Sequence, residues 1–138
     1  MNAYCLMPNH FHLLIYLHDD VGALSRFMAS ITIAYSMYFN KKYKRRGPLF
    51  ENRFKASPIF EDVYLQHISR YIHLNPAKYK TWPYSSYMSY VSGTYPQWLQ
   101  PEPILELFEN VGQYKAFVAD YESVQQLNEM LKHSLADK

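Results

Sequence analysis

Residues 7–17 of the chain read MPNHFHLLIYL, and this stretch decides the fold. Its apolar and aromatic run LLIYL is typical of a buried β-strand. Residues 4–7 read as a second short strand and Pro8-Asn9 breaks the chain between the two, so the pattern predicts a β-hairpin. Because side chains two positions apart in a strand point to one face, we expect the imidazoles of His10 and His12 to lie side by side, as half of a metal site. Two histidines at this spacing are a weak signal by themselves.

The composition is that of one globular domain. The chain has 138 residues, and its 49% of hydrophobic against 19% of charged residues excludes a disordered protein. No apolar run approaches the ~18–20 residues that span a bilayer, and the first 17 residues lack the features of a signal peptide. Cys5 is the only cysteine, which excludes an internal disulfide and favours a small buried side chain. We therefore expect a cytoplasmic protein without a membrane partner.

The distribution of charge is more informative than the formal net charge of +2. Residues 41–55 hold seven basic side chains against a single acid, and aromatic residues lie between them. Such a segment is typical of a surface that follows a phosphate backbone and contacts unpaired bases. A solvated helix end is the alternative reading. The residues that we expect to bind DNA are Lys44, Arg45, Arg46, Arg53 and Lys55.

Apolar periodicity predicts two long helices, the first over residues 21–44 and the second over residues 61–74. Pro76 ends the second helix because a proline disfavours the α conformation in the residue before it. Three other segments are predicted as follows: residues 50–59 extended, residues 79–98 irregular and rich in aromatics, and residues from 103 onward helical, with a peripheral helix at the end.

The second predicted helix carries the residues that complete a site. Tyr71 and Asn75 are four positions apart and therefore share one helix face, with His67 one turn earlier on the same stripe. If this face meets the two histidines, the site contains two imidazoles, an amide oxygen and a phenol. Mixed nitrogen and oxygen ligands with open positions suit Mg²⁺ or Mn²⁺ better than a structural zinc.

Four blocks of the sequence resemble one family in the same order. MPNHFHLLI resembles the histidine–hydrophobic–histidine motif of the HUH nucleases, and RYIHLNP resembles the nucleophile helix of the single-tyrosine transposases of that superfamily. GPLFENRFKA and WPYSSYMSYVSG resemble further blocks, most of all in the transposase-like proteins associated with repetitive extragenic palindromes. The resemblance implies an α+β fold, a ferredoxin-like antiparallel sheet with helices on one face. It places the nuclease core in residues 1–92 and a C-terminal helical extension, packed on that core, in residues 93–138.

The resemblance also implies a chemistry of DNA nicking and rejoining, as in transposition. Tyr71 matches the nucleophile that attacks single-stranded or hairpin DNA and forms a 5′-phosphotyrosine intermediate. His10, His12 and Asn75 match the ligands of Mg²⁺ or Mn²⁺. His67 is a candidate for an auxiliary role in proton transfer, and the absence of any such role is the alternative that we favour. The tyrosines of residues 84–95 are candidates for stacking on bases, although a clasp of the C-terminal region onto the core is the preferred reading.

The chain departs from the family at its start, because members carry a first strand and helix before the histidine hairpin. In the implied sheet that strand pairs with the histidine strand, so we expect an open sheet edge that a homodimer covers. A truncated remnant is the alternative. Two rival functions remain open: a non-catalytic protein that binds single-stranded or hairpin DNA, and a metal-dependent hydrolase that uses the histidine pair without Tyr71.

Overall fold

The computed structural model describes residues 1–18 and 20–120, and its architecture is α+β, as predicted. The chain divides into two compact units. Among the described residues, one unit contains Leu17–Ser57, and the other contains Met1–Tyr16 together with residues 58–120. None of the described helices is both long enough and apolar enough to cross a lipid bilayer. The peripheral helix predicted for the end of the chain falls outside the described residues.

The predicted hairpin is present as β1 (Ala3–Leu6) and β2 (Phe11–Leu14), the two strands of an antiparallel sheet. Met7 N–H donates to the carbonyl of His10 at 2.8 Å and closes the turn. The strand stops at Leu14, so the expected continuation through Leu17 is wrong. The reason is pairing with β1. Ala3, the first residue of β1, is paired with Leu14, and Asn2 N–H donates to the Leu14 carbonyl at 2.8 Å, so no residue of β1 is left to pair with Ile15.

The outer edge of β1 is covered by a short segment near the middle of the chain. Leu6 N–H donates to the carbonyl of Tyr84 at 2.8 Å, and Ser86 N–H donates to the carbonyl of Tyr4 at 3.0 Å. Cys5 and Ser85 form an isolated antiparallel bridge between these two bonds. Residues 84–86 therefore satisfy backbone groups that would otherwise be exposed along β1.

The unit of Leu17–Ser57 contains α1 (Val21–Lys42), which matches the first predicted helix to within two residues. The carboxylate of Asp20 caps its N-terminus by accepting from Ala23 N–H. Lys41 and Lys42 occupy its last turn, where cations suit the helix dipole. The extended segment predicted for residues 50–59 forms no strand, because no other strand pairs with it.

The other unit holds α2 (Asp62–Leu74), in agreement with the second predicted helix. Residues 79–98 are more regular than predicted, with a 3-10 helix (Tyr79–Thr81) and α3 (Tyr87–Ser92). Gly93 ends α3 with φ 69°, a left-handed conformation that glycine adopts without strain. Two further helices follow, α4 (Glu102–Leu105) and α5 (Val111–Ala119).

Aromatic side chains from these short helices fill the core beside α2. Tyr79, Tyr87, Tyr90 and Tyr114 are all buried, and their rings meet at edge-to-face or tilted angles. Two of the tyrosines considered for base stacking, Tyr87 and Tyr90, thus serve the core instead. This placement agrees with the clasp that the sequence favours.

A buried polar network centred on His73 joins α2, α5 and β1. The hydroxyl of Tyr114 lies 2.6 Å from Nδ1, and Ser86 Oγ lies 2.7 Å from Nε2. Ser86 Oγ accepts from Tyr4 N–H at 2.9 Å and donates to the Tyr4 carbonyl at 3.2 Å, which uses its only proton. The imidazole therefore carries its proton on Nε2 and accepts from Tyr114 at Nδ1. Burial lowers the pKa of His73 to about 3, so the ring is neutral at pH 7.

Replacing Tyr114 with Phe tests this network. The change leaves Nδ1 of His73 buried without a donor, which costs about 1–3 kcal/mol of unfolding free energy. Urea denaturation followed by circular dichroism measures the loss. Tyr95→Phe is the control, because the Tyr95 hydroxyl also donates a hydrogen bond, to Glu102 at 2.7 Å, but in an exposed position. Equal stability of both variants would contradict the network.

Candidate active site

The hairpin brings His10 and His12 together, with ring centroids 5.2 Å apart and the planes at 81°. His10 precedes β2 in the turn and is exposed, whereas His12 lies within β2 and is half-buried. His12 stands opposite Cys5 in the register, so both side chains lie on the same face of the hairpin. That face packs against α2.

The last turn of α2 supplies the other two residues of the predicted site. The ring of Tyr71 lies 5.1 Å from the ring of His12, at an edge-to-face angle of 75°. Asn75, the C-cap of α2, places its Oδ1 2.9 Å from Nε2 of His10. The structure therefore brings these four side chains into one cluster within a single compact unit. Their spacings of two residues in a strand and four in a helix put each pair on one face, and the packing of the hairpin against α2 brings the two faces together.

The surroundings of His10 suit a cation. Its Nδ1 lies 2.7 Å from Oδ1 of Asn9, and its Nε2 faces Oδ1 of Asn75. A neutral imidazole has a single N–H and can donate to only one of these two oxygens. If the proton is on Nδ1, Asn9 holds the ring in place and the Nε2 lone pair faces another acceptor. A cation between Nε2 and Asn75 would satisfy both lone pairs, with Asn9 as its supporting residue.

His12 is the more buried of the two imidazoles. Burial, and to a smaller extent the neighbouring His10, lowers the pKa of His12 to about 4. The ring is therefore neutral at pH 7, which is the form of histidine that coordinates metals. One ring nitrogen of the neutral imidazole therefore keeps a lone pair that can bind a cation at that pH.

The donor set fits a hexacoordinate divalent ion. His10, His12 and Asn75 offer two nitrogens and one oxygen without any charge. The edge of an octahedron with metal–ligand bonds of about 2.1 Å is about 3.0 Å, close to the 2.9 Å between Nε2 of His10 and Oδ1 of Asn75. In residues 1–18 and 20–120, no group of three His, Cys, Asp or Glu side chains could hold a metal ion.

The candidate auxiliary residue, His67, has its contacts on another side of α2. Its Nδ1 accepts from Arg70 at 2.7 Å, and its ring lies 5.4 Å from that of Phe117 in α5. Arg70 is fully buried, donates to the Phe117 carbonyl at 3.2 Å and stacks over the same ring. Burial and the charge of Arg70 lower the pKa of His67. These contacts join α5 to α2.

The residues expected to bind DNA lie in the unit of Leu17–Ser57, outside the cluster's own unit. Lys44 has φ 51° in the turn that follows α1. Arg45 closes that turn by donating to Asn40 Oδ1 at 3.2 Å and to the Pro48 carbonyl at 3.4 Å. The other three members of the set are exposed: Arg46, Arg53 and Lys55.

Few carboxylates lie near the cluster along the chain. Residues 1–18 and 63–101 contain no Asp or Glu, and the acids of α2, Asp62 and its N-cap Glu61, lie at the opposite end of that helix from Tyr71, while Lys78 and Lys80 supply positive charge. A phosphate group that approaches Tyr71 therefore meets no repelling side chain from these segments. The arrangement can hold a divalent ion and admit an anion beside a phenol.

Two residues near the cluster escaped the sequence analysis. Asn9 precedes His10 in a tight turn, and this position could have identified it as a residue that orients His10. Trp82 donates its indole N–H to the Leu6 carbonyl at 2.9 Å, at the end of β1. No sequence pattern signals that contact, because the two residues are far apart in the chain and only the fold joins them.

Comparison with known proteins gives two findings. The family model for transposases of the IS200-like type matches residues 1–75. A protein of Haemophilus influenzae described as "Putative REP-associated tyrosine transposase" is 31% identical over 101 residues, which cover 62% of this chain and 57% of that relative. The chain thus spans little more than half the length of the relative. No solved structure matches the chain significantly.

Proposed function

The chain belongs to the family of IS200-like transposases, and on that premise we propose that it nicks and rejoins single-stranded DNA with Tyr71 as the nucleophile. The observation that carries the proposal is the position of Tyr71. Its ring lies 5.1 Å from His12, beside the 2.9 Å contact between His10 and Asn75. A phenol beside a candidate cation site, with the acids of α2 at the far end of the helix, suits attack on a phosphodiester.

The proposed reaction exchanges one ester bond for another. The phenol loses its proton as Oη of Tyr71 attacks phosphorus, the bond from phosphorus to the 3′ oxygen breaks, and the leaving oxygen takes up a proton. The products are a 5′-phosphotyrosine and a free 3′-hydroxyl. Because the ester energy is retained, a 3′-hydroxyl can later attack the same phosphorus and rejoin the strand.

Each residue of the cluster has a separate task in this scheme. A phenol has a pKa near 10 in water and is a weak nucleophile at neutral pH. Bound Mg²⁺ or Mn²⁺ would polarise the phosphate oxygens and offset the charge that develops on them. His10, His12 and Asn75 would hold that ion, and Asn9 would orient His10. The edge-to-face contact with His12 would restrict the orientation of the Tyr71 ring.

A labelled DNA hairpin incubated with Mn²⁺ tests the proposal directly. We expect a protein–DNA adduct that survives denaturing electrophoresis and that disappears in Tyr71→Phe, because only the hydroxyl can form the ester. Tyr64→Phe is the matched control, since Tyr64 is also a half-buried tyrosine of α2. The control should form the adduct at the wild-type level.

Other outcomes distinguish the rival functions. Salt-sensitive binding without any adduct would support a non-catalytic DNA-binding protein. Cleavage that persists in Tyr71→Phe would support a metal-dependent hydrolase that uses the histidine pair. Either result would overturn the proposed role of Tyr71.

Metal binding is tested separately from catalysis. Replacing His10 or Asn75 with Ala removes one of three ligands, and we expect Mn²⁺ to bind about 10-fold more weakly or worse. Electron paramagnetic resonance of free Mn²⁺ measures the dissociation constant. His18→Ala is the control because His18 is an exposed histidine of the other unit. Equal dissociation constants in all three variants would refute the proposed ligand set.

We also propose that two copies of the chain form a homodimer through β2. In residues 1–18 and 20–120, β1 is the only strand that pairs with β2. A strand edge without a strand neighbour favours pairing with another chain. We expect light scattering to give twice the mass of 16.4 kDa at high concentration. A stable monomer at every concentration would contradict the dimer.

A further inference from the structure

We propose that Tyr38, Lys42 and Tyr43, at the C-terminal end of α1, form a binding site for one unpaired nucleotide of a single DNA strand. The tyrosine rings stack on the base, and the ammonium pairs with the phosphate. The inference rests on the proposed function and deepens it by assigning residues to the binding of the DNA. All three residues lie in the unit of Leu17–Ser57.

The ammonium of Lys42 lies close to two exposed aromatic rings. Its Nζ is 5.6 Å from the ring centroid of Tyr38 and 5.5 Å from that of Tyr43. Tyr38 is one helical turn before Lys42, and Tyr43 is the C-cap of α1. Each tyrosine is 57% exposed, and Lys42 is exposed as well. Aromatic surface and a cation are therefore open to the same ligand.

Neighbouring aromatic side chains restrict the two rings. The ring of Tyr43 lies 4.5 Å from that of Phe39, and the ring of Tyr38 lies 6.4 Å from that of Tyr35. Tyr43 N–H also donates to the Phe39 carbonyl at 3.0 Å, which holds its backbone to the end of the helix. Ring contacts of this kind reduce the rotamer freedom that is lost when a base binds.

The turn after α1 places further positive charge beside these rings. Asn40 closes the turn, because its Nδ2 donates to the Gly47 carbonyl at 2.9 Å and its Oδ1 accepts from Arg45 at 3.2 Å. Lys44 has φ 51°, a conformation that glycine adopts more easily, and its side chain is exposed. Lysine at this position therefore costs backbone strain and adds an exposed cation next to Tyr43.

The charge of the segment favours a polyanionic ligand. Residues 21–50 contain six basic residues and no Asp or Glu, and residues 41–46 hold five of the six. Single-stranded DNA combines phosphates with unpaired bases, whose faces stack on exposed aromatic rings. The bases of a duplex are already stacked on one another, so a duplex offers its phosphates alone.

An anionic lipid surface is another polyanion, but the arrangement of the side chains disfavours it. A helix that lies on a membrane separates its cations and its apolar side chains onto opposite faces. Here the ammonium of Lys42 instead lies over the rings of Tyr38 and Tyr43. Cations interleaved with aromatic rings are typical of surfaces that bind single-stranded nucleic acid.

The first experiment measures the affinity for a fluorescein-labelled oligodeoxythymidylate by anisotropy. It is done in EDTA and in a Tyr71→Phe background, so binding is tested whether or not the protein cleaves DNA. We expect Tyr38→Ala and Tyr43→Ala each to bind about 5- to 150-fold more weakly, the range for loss of one stacked base. Tyr38→Phe and Tyr43→Phe should bind as the parent does, because they keep the ring.

Met37→Ala is the matched control. Met37 is 68% exposed on the same helix, and its side chain points about 100° away from that of Tyr38 around the helix axis. We expect it to bind as the parent does. Equal affinities of Tyr38→Ala, Tyr43→Ala and Met37→Ala would overturn the site. An adduct in the hairpin assay together with that equality would leave the proposed function intact and reject only the site.

The salt dependence of the same binding tests the phosphate contact. We expect Lys42→Gln to reduce the slope of the logarithm of the dissociation constant against the logarithm of salt concentration by about 0.7, the value for one contact to a single strand. Lys115→Gln removes an equal charge from an exposed position of α5 and should leave the slope unchanged. Equal slopes in the two variants would contradict the role of Lys42.

Vesicles of phosphatidylserine and phosphatidylcholine test the lipid alternative. We expect Tyr38→Ala to sediment with these vesicles to the same extent as the parent. Weaker sedimentation of Tyr38→Ala, with no change in its affinity for the oligonucleotide, would assign the rings to a lipid surface and overturn the proposal. A duplex competitor that displaces the oligonucleotide as well as an unlabelled single strand would also contradict it.

Discussion

The hydroxyl of Ser86 is the contact on which the geometry of the site depends. It joins β1 to α2, because it bonds both to the backbone of Tyr4 and to the imidazole of His73. The hairpin carries His10 and His12, while α2 carries Tyr71 and Asn75. Their meeting therefore requires the two elements to keep one relative position. The network is buried and fully satisfied, which makes alternative positions costly.

Local spacing explains why the centre of the site could be predicted from sequence. Residues two apart in a strand and four apart in a helix share a face whatever surrounds them. The bounds of α2 followed from its periodicity and Pro76. These features are local, and a single sequence contains them in full.

Other features required knowledge of distant partners. The run after Leu14 is as apolar as the strand itself, yet the strand ends where its partner ends. The short helices in residues 79–98 are stabilised by packing against α2 rather than by their own periodicity. Arg45 reads as a cation for phosphate, but it also closes the turn after α1. For the strand and the short helices, a contact outside the segment itself decided the outcome, whereas the contacts of Arg45 are with residues three and five positions away.

Cys5 has a practical consequence that follows from its burial. The only thiol of the chain is completely shielded within the hairpin, and burial raises its pKa, so the reactive thiolate is scarce. A maleimide or other alkylating reagent can reach this sulfur only when the packing of the hairpin against α2 and residues 84–86 opens. The rate at which Cys5 is alkylated therefore reports how often the folded protein opens. A cysteine introduced on the surface would meanwhile accept a dye without competition.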